Sequence, residues 1–320
     1  MRFRLQLFSI DLHIVHLNMS ARQKLSVARS SKRDEFYTLY EDVTFELDHY
    51  FDQFKDKIIY CPCDTSQSAF VKYFLELESK GIIKEVFYTS FKDGEGTDCL
   101  SDAAIDGYKH CDIVVTNPPF SLFRPFVELL DKLNVKFILW GNNNAICYKQ
   151  VSAMLIRDRI RLGYIANRTC EFEVPGDYAS SPESKVYQRD GKNLVKVASI
   201  TTFTNLSVNR DEALVLTKRY DDSYIKYSNF DAINCNRSSD IPIDYDGYIG
   251  VPITYLSKHD SSKFKIIGIF NNYSEMNPEL GCISGELVHL NKAPWKTRGP
   301  CISENGINIP LYVRIIIKKA

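Results

Sequence analysis

The sequence predicts an α/β fold built on a doubly wound, mostly parallel sheet, with a smaller β-rich part at its C-terminal end. Three observations carry this reading. Short, nearly continuous apolar runs rich in β-branched and aromatic residues recur through the first half: Lys57–Cys61, Glu85–Ser90, Ile113–Val115 and Lys136–Trp140. Such runs without alternation fit strands covered on both faces. Stretches with helical spacing of apolar residues separate them, as crossover connections between parallel strands require. Beyond about Leu162 this rhythm stops, and turn residues and tyrosines take over.

Each element has its own justification. Val43, Leu47 and Tyr50 share one face of a first helix. Ser68–Lys80 is amphipathic, with Phe70, Tyr73, Phe74 and Leu77 inward and Gly81 as its stop. Phe91–Leu100 holds Asp93, Gly94, Glu95, Gly96 and Asp98, which reads as an acidic loop. Asp102–Tyr108 reads as a short helix. Ser121 is a candidate cap for a helix with Leu122, Phe123, Phe126, Val127, Leu130 and Leu133 on one face and Pro125 in its first turn. Lys136–Trp140 runs into Gly141-Asn142-Asn143-Asn144, and Tyr148–Arg159 is again helical. Arg189-Asp190-Gly191-Lys192 is a turn before the strand Leu194–Phe203, and Ala213–Lys218 is expected to pair in a hairpin that closes the sheet. Phe264–Ile269 and Tyr312–Ile317 are strands of the C-terminal part.

Composition narrows the class. At 320 residues the chain has room for a large α/β domain and a smaller one. Lys plus Arg and Asp plus Glu both number 40, so a polyanionic partner must be met by a local basic face rather than by overall charge. The nine cysteines are odd in number and lack paired zinc spacing, which points to reduced thiols in a cytoplasmic protein with no metal. No apolar run has membrane-spanning length. Met1–Asn18 makes a poor signal peptide; it reads as an upstream extension before Met19, or as an extra strand or arm. Arg22, Lys24, Arg29, Lys32 and Arg33 then form a basic arm, suited either to nucleic-acid phosphates or to a merely solvated tail.

The chemistry concentrates in Thr116-Asn117-Pro118-Pro119-Phe120, at the carboxyl end of an apolar strand, where open α/β sheets bind ligands. An exocyclic or amide nitrogen is a poor nucleophile because its lone pair is delocalised. The side-chain oxygen of Asn117 and the carbonyl of Pro118 are two acceptors for its two hydrogens. Accepting both localises the lone pair and stabilises the positive charge that grows as a methyl group arrives. Pro118 and Pro119 stiffen the loop, and Phe120 offers a flat face for a planar base. The alternative is a proline-stiffened connection with a core phenylalanine.

With these residues in view, the chain resembles the EcoRI-type family of adenine-specific DNA methyltransferases from about Lys32 to its C-terminus. The resemblance is carried by Lys32-Arg33-Asp34-Glu35-Phe36-Tyr37-Thr38, by Asp112–Arg124 around Asn-Pro-Pro-Phe, and by Gly141-Asn142-Asn143-Asn144-Ala145-Ile146. Gly250–Leu256 and Phe264–Gly268 extend it. It implies a Rossmann-like S-adenosylmethionine-dependent domain over residues 34–218, after an extension and arm at 1–33. A target-recognition domain over 219–320 would follow.

It also implies site-specific transfer to N6 of an adenine flipped out of double-stranded DNA, of restriction-modification type, by a monomer that needs no protein partner. Asn117, Pro118, Pro119 and Phe120 take the catalytic places. Phe36, Tyr37 and Thr38 resemble the segment that touches the amino-acid end of the cofactor. Cys61-Pro62-Cys63-Asp64 stands where the cofactor loop belongs, with Asp64 facing the ammonium group, although the usual Phe-x-Gly-x-Gly pattern is absent. Ser90 and Asp93 lie near the place of the ribose-binding acid without filling it. Asp98 resembles the acid of the next motif, or is a solvated loop acid. Phe172 is either a second stacking face for the base or a core residue. Lys292, Lys296 and Arg298 around Trp295, and Lys318 and Lys319, are candidate backbone contacts. Two other readings remain: methylation of a base in RNA or of a protein glutamine, and a catalytically silent DNA-binding module. The C-terminal part and basic arm weigh against a protein substrate, and the intact loop weighs against silence.

Overall fold

A computed structural model of the chain describes residues 36–89, 99–176, 178, 185–210, 214–228, 231–270, 300–304 and 306–320. The basic arm, the acidic loop with Ser90, Asp93 and Asp98, and the Lys292–Arg298 patch lie outside the described residues.

Among the described residues the central sheet has nine strands. Four are parallel: β2 (Ile58–Pro62), β3 (Glu85–Thr89), β4 (Ile113–Thr116) and β5 (Lys136–Asn142), in the spatial order β3-β2-β4-β5. After β2 the chain goes to one side to form β3, then returns to the other side for β4. The crevice between β2 and β4 is therefore a topological switch point, open at the strands' carboxyl ends.

Side-chain alternation explains why both faces are covered. In β4, Ile113 and Val115 enter one buried cluster and Val114 the other; in β5, Ile138 and Trp140 oppose Phe137 and Leu139. The helices α1 (Tyr40–Leu47), α2 (Phe51–Phe54) and α3 (Ala69–Ser79) cover the first face. The helices α4 (Asp102–His110), α5 (Phe123–Leu133) and α6 (Lys149–Ile156) cover the second.

Local chemistry sets the helix ends. Ser68 caps α3 by accepting from the Val71 amide, and Gly81, at φ +67°, closes it with Gly81 N–H to Glu78 O and Ile82 N–H to Leu77 O. Asn134, at φ 54°, does the same for α5, with Val135 N–H bonded to Leu130 O. The expectation that Ser121 caps α5 is corrected: the helix starts at Phe123 and Leu122, not Ser121, holds the cap position. The apolar face is as expected, and each fully buried ring such as Phe126 contributes roughly 1.5–3 kcal/mol of transfer free energy.

β9 (Lys192–Thr204) shapes the active side. Its second half pairs antiparallel with β5, from Asn142↔Ile200 to Ile138↔Thr204, so its first half overhangs the carboxyl edge of the parallel strands. β6 (Arg161–Leu162) adds to the paired half, while β7 (Arg168–Glu173) and β8 (Tyr187–Arg189) pair along the overhang. A bulge where β7 passes from Arg168 to Cys170, with Ser199 at φ 60°, bends β9 at that edge. Asp190 and Gly191, both at positive φ, make the tight β8–β9 turn. β1 (Tyr37–Thr38) pairs antiparallel with β7 and is thereby carried above the crevice. The expected closing strand over Ala213–Lys218 is corrected: residues 214–218 join no ladder, because β9 is already paired by β5 on one side and β7 on the other.

A second sheet, in the order β10-β11-β15-β12, comprises β10 (Ala232–Asn234), β11 (Tyr248–Pro252), β12 (Phe264–Phe270) and β15 (Arg314–Lys319). β13 (Cys301–Glu304) and β14 (Ile307–Pro310) form a separate hairpin. β12 packs on α6, and one buried cluster runs from Val114 and Phe137 of the first sheet to Ile249, Ile266 and Ile315 of the second.

Glu46 has a place that the sequence did not announce. It is fully buried on α1, accepting from Tyr50 Oη at 2.9 Å and from the amides of Tyr164 at 3.0 Å and Ile165 at 2.6 Å. Burial raises its pKa, while these hydrogen bonds oppose the shift. The carboxylate ties the helix that follows β1 to the segment that leads into β7.

Candidate active site

The two loops at the switch point are joined by one hydroxyl. Thr116, the last residue of β4, places Oγ1 2.9 Å from the carbonyl of Pro62 and 2.9 Å from Asp64 Oδ2. The place expected for a glycine is filled by Cys63, which adopts φ 62°. A residue with a side chain thus supplies the left-handed turn for which glycine is the usual choice. Cys61 is buried, and burial pushes its thiol well above the ordinary range, so it is an inert core residue beside the loop.

Asp64 is half-buried as a residue, yet burial of its carboxyl raises the pKa from 3.8 to about 7, against the lowering effect of bonds from Thr116 and Ser68. Among the described residues no cation forms an ion pair with it. A desolvated carboxylate without a counter-charge, in the crevice of an α/β sheet, fits the ammonium group of an amino-acid ligand.

Asn117 follows Thr116 directly. Its Nδ2 donates to the carbonyl of Phe36 at 3.0 Å and to Thr38 Oγ1 at 3.2 Å. Its Oδ1 is buried and, among the described residues, accepts from no group. A buried oxygen without a donor costs about 1–3 kcal/mol, so its persistence points to a donor brought by substrate. Pro118 is buried, while Pro119 and Phe120 are half-exposed, so the loop presents its aromatic ring at the rim.

Phe36 stacks on Phe120, with centroids 5.6 Å apart and planes at 29°. Phe36 also meets Phe172 at 5.6 Å and Tyr178 at 6.0 Å. Phe172 itself is fully buried, and access to its face requires movement of the groups that cover it, Phe36 among them. Tyr37 is exposed and Thr38 is buried.

The structure therefore brings together Phe36, Thr38, Asp64, Asn117 and Phe120, with Cys61 and Cys63 shaping the floor. Arg22, Lys24, Arg29, Lys32, Arg33, Asp98, Lys292, Lys296 and Arg298 lie outside the described residues. Lys319 pairs with Asp246 at 2.8 Å, and Lys318 lies over the Tyr248 ring at 5.0 Å. Sequence reasoning missed the hydrogen bonds from Asn117 to the Phe36–Thr38 segment. They span 81 and 79 residues, and no local pattern encodes them.

Among the described residues no group of His, Cys, Asp and Glu is placed to hold a metal, and no helix is long and apolar enough to cross a membrane.

Comparison with known proteins gives this geometry its context. The profile of the family described as "Adenine-specific methyltransferase EcoRI" matches residues 24–103 and 84–320. Type II methyltransferase M.EcoRI of Escherichia coli is 35% identical over 286 residues, covering 76% of this chain and 88% of its own. Type II methyltransferase M.MgeORF184P of Mycoplasma genitalium is 31% identical over 320 residues, covering 91% and 97%. Type II methyltransferase M.MpnI of Mycoplasma pneumoniae is 34% identical over 271 residues, covering 77% and 85%. With a crevice loop suited to an amino nitrogen and relatives matched along most of their lengths, the chain belongs to the EcoRI-type family of adenine-specific DNA methyltransferases.

Proposed function

We propose that this protein transfers a methyl group from S-adenosylmethionine to N6 of an adenine flipped out of double-stranded DNA at one short site. The observation that carries this reading is Asn117 Oδ1, a buried acceptor with no donor, set beside the carbonyl of Pro118 in a stiff loop. The two oxygens receive the two N6 hydrogens, pull the nitrogen's lone pair out of conjugation and face the charge that develops on it. Phe120 stacks on the base, and Phe172 acts through Phe36, which its ring supports. S-adenosylmethionine, when bound, supplies an electrophilic methyl carbon on a sulfonium. Asp64 holds its ammonium group, and Tyr37 and Thr38 meet its carboxylate. No general base is needed, since the proton leaves the nitrogen after transfer. Residues 219–320 provide target recognition, with the basic arm and the Lys292–Arg298 patch on the DNA backbone, and the protein acts as a cytoplasmic monomer.

Calorimetric titration with S-adenosylmethionine tests the reading at its first step. Saturable binding that S-adenosylhomocysteine competes away is expected. Folded protein that shows no saturable heat would instead be a silent DNA-binding module.

A further inference from the structure

We propose that the carbonyl of Phe36 and the hydroxyl of Thr38 are positioning groups that lock the amide of Asn117 with its oxygen toward the target nitrogen. This rests on the reading of Asn117 as the acceptor for that nitrogen.

The chemistry of the partners fixes the orientation. A side-chain amide can turn over and exchange its oxygen for its nitrogen, and only its surroundings decide which end faces where. The carbonyl of Phe36 can accept a hydrogen bond but cannot donate one, so the end of Asn117 that lies 3.0 Å away must be the nitrogen. Thr38 Oγ1, at 3.2 Å, takes the second hydrogen of the same NH2 group. Both donors are then satisfied on one side, and Oδ1 is left buried and unpaired on the other. With the amide reversed, an NH2 group would confront the amino group of the target, two donors facing each other, while the Phe36 carbonyl would oppose an oxygen.

The two positioning groups are themselves held. Tyr37 and Thr38 form the two-residue strand β1, in register with Glu173 and Phe172 of β7. The Phe36 ring sits among Phe120, Phe172 and Tyr178. The overhang of β9 that carries β7 past the carboxyl edge thereby acquires a purpose: it brings a segment 79 residues away in sequence onto the reacting loop.

A contact between Thr38 and the cofactor remains compatible with this lock. The hydroxyl accepts from Asn117, and its own hydrogen stays available for a carboxylate. One side chain then serves both cofactor and acceptor, and each role predicts a different kinetic loss.

The test uses the full chain and the variants Thr38→Val, which keeps shape and burial without the hydroxyl, and Thr38→Ser, which keeps the hydroxyl. Melting temperature, S-adenosylmethionine Kd, DNA Kd and single-turnover methylation at saturation are measured for each. Expected is a drop of about 10- to 100-fold in the saturated rate of Thr38→Val, the scale on which misplacement of a reacting group is felt. The DNA Kd should stay within about threefold, the S-adenosylmethionine Kd should rise with loss of the carboxylate contact, and Thr38→Ser should return most of the rate. A Thr38→Val protein with weaker cofactor binding and an unchanged saturated rate overturns the proposal, leaving Thr38 a cofactor contact only. Equal loss in Thr38→Ser and Thr38→Val also overturns it, because the hydroxyl would then not be the operative group. Asn117→Ala, run beside them, keeps the two levels apart: normal turnover there removes the acceptor reading itself, whatever Thr38 does.

Discussion

With Asp64 against the cofactor's ammonium group, as proposed, cofactor binding should depend on pH in a direction that follows from burial. Its pKa in the folded protein is about 7, raised from 3.8 chiefly by desolvation. A folded value above the unfolded one means that the native state holds the proton more tightly. The associated stability is fully present below about pH 4 and is lost as pH rises through about 7, a difference of roughly 4 kcal/mol for about three pKa units. A cationic group placed against the carboxylate selects the ionised form. At pH 6 only about one-tenth of the protein carries that form, against about nine-tenths at pH 8, so the Asp64 contribution to S-adenosylmethionine affinity weakens about tenfold between them. The assay is calorimetry at pH 6.5 in two buffers of different ionisation enthalpy, with wild type and Asp64→Asn side by side. The cofactor's own amine titrates against both proteins, so their difference isolates Asp64. Wild type should release roughly three-quarters of a proton more than the variant. The variant should bind more weakly at pH 8 and melt higher there. Identical proton release by the two proteins would refute the assignment of Asp64 to the ammonium group.

Other outcomes follow from single contacts. Asn117→Ala removes the unpaired acceptor and should lower the transfer rate by about 10²- to 10³-fold, while filter binding shows DNA affinity nearly unchanged. Glu46→Ala leaves the part-buried amide of Tyr164 and the buried amide of Ile165 without an acceptor, at up to about 1–3 kcal/mol each, which urea unfolding should detect as a loss of a few kcal/mol. Gly163→Ala reaches the same network from the other side, because its Cβ would overlap Glu46 Oε1 and Thr202 Oγ1. Overpacking of this kind costs about 1–3 kcal/mol, read as a lower melting temperature.

The parts of the fold that the sequence displayed are those in which neighbours in sequence do the work. Ile113-Val114-Val115 reads as a doubly covered strand because its residues alternate between two buried clusters. Gly81 marks the end of α3 because the left-handed turn that frees its backbone bonds is a local event. The same logic misleads where a tertiary partner decides. Leu214–Lys218 has strand-like composition, but the strand it was expected to pair with, β9, is already bonded on both sides. Ser121 has cap chemistry, yet the helix begins one turn-position later behind Leu122. Glu46 was hidden although its spacing from Val43 and Tyr50 puts it on the apolar face of α1; a carboxylate in such a position is the signal of a buried acceptor. Cys63 shows the reverse case, where the usual glycine pattern is absent and the backbone still makes the turn. The site residues Asn117, Phe120, Asp64, Phe36 and Thr38 were each visible as residue types in a motif. Their assembly depends on the bend of β9 and the pairing of β1 with β7, which no local pattern states.

The atom that receives the methyl group decides the proposed function most directly. Purified protein, unmethylated genomic DNA and S-adenosylmethionine labelled in the methyl group should yield label in DNA, recovered after digestion as N6-methyladenine and mapping to one recurring site. Label recovered in cytosine, or in RNA or protein with none in DNA, would contradict it.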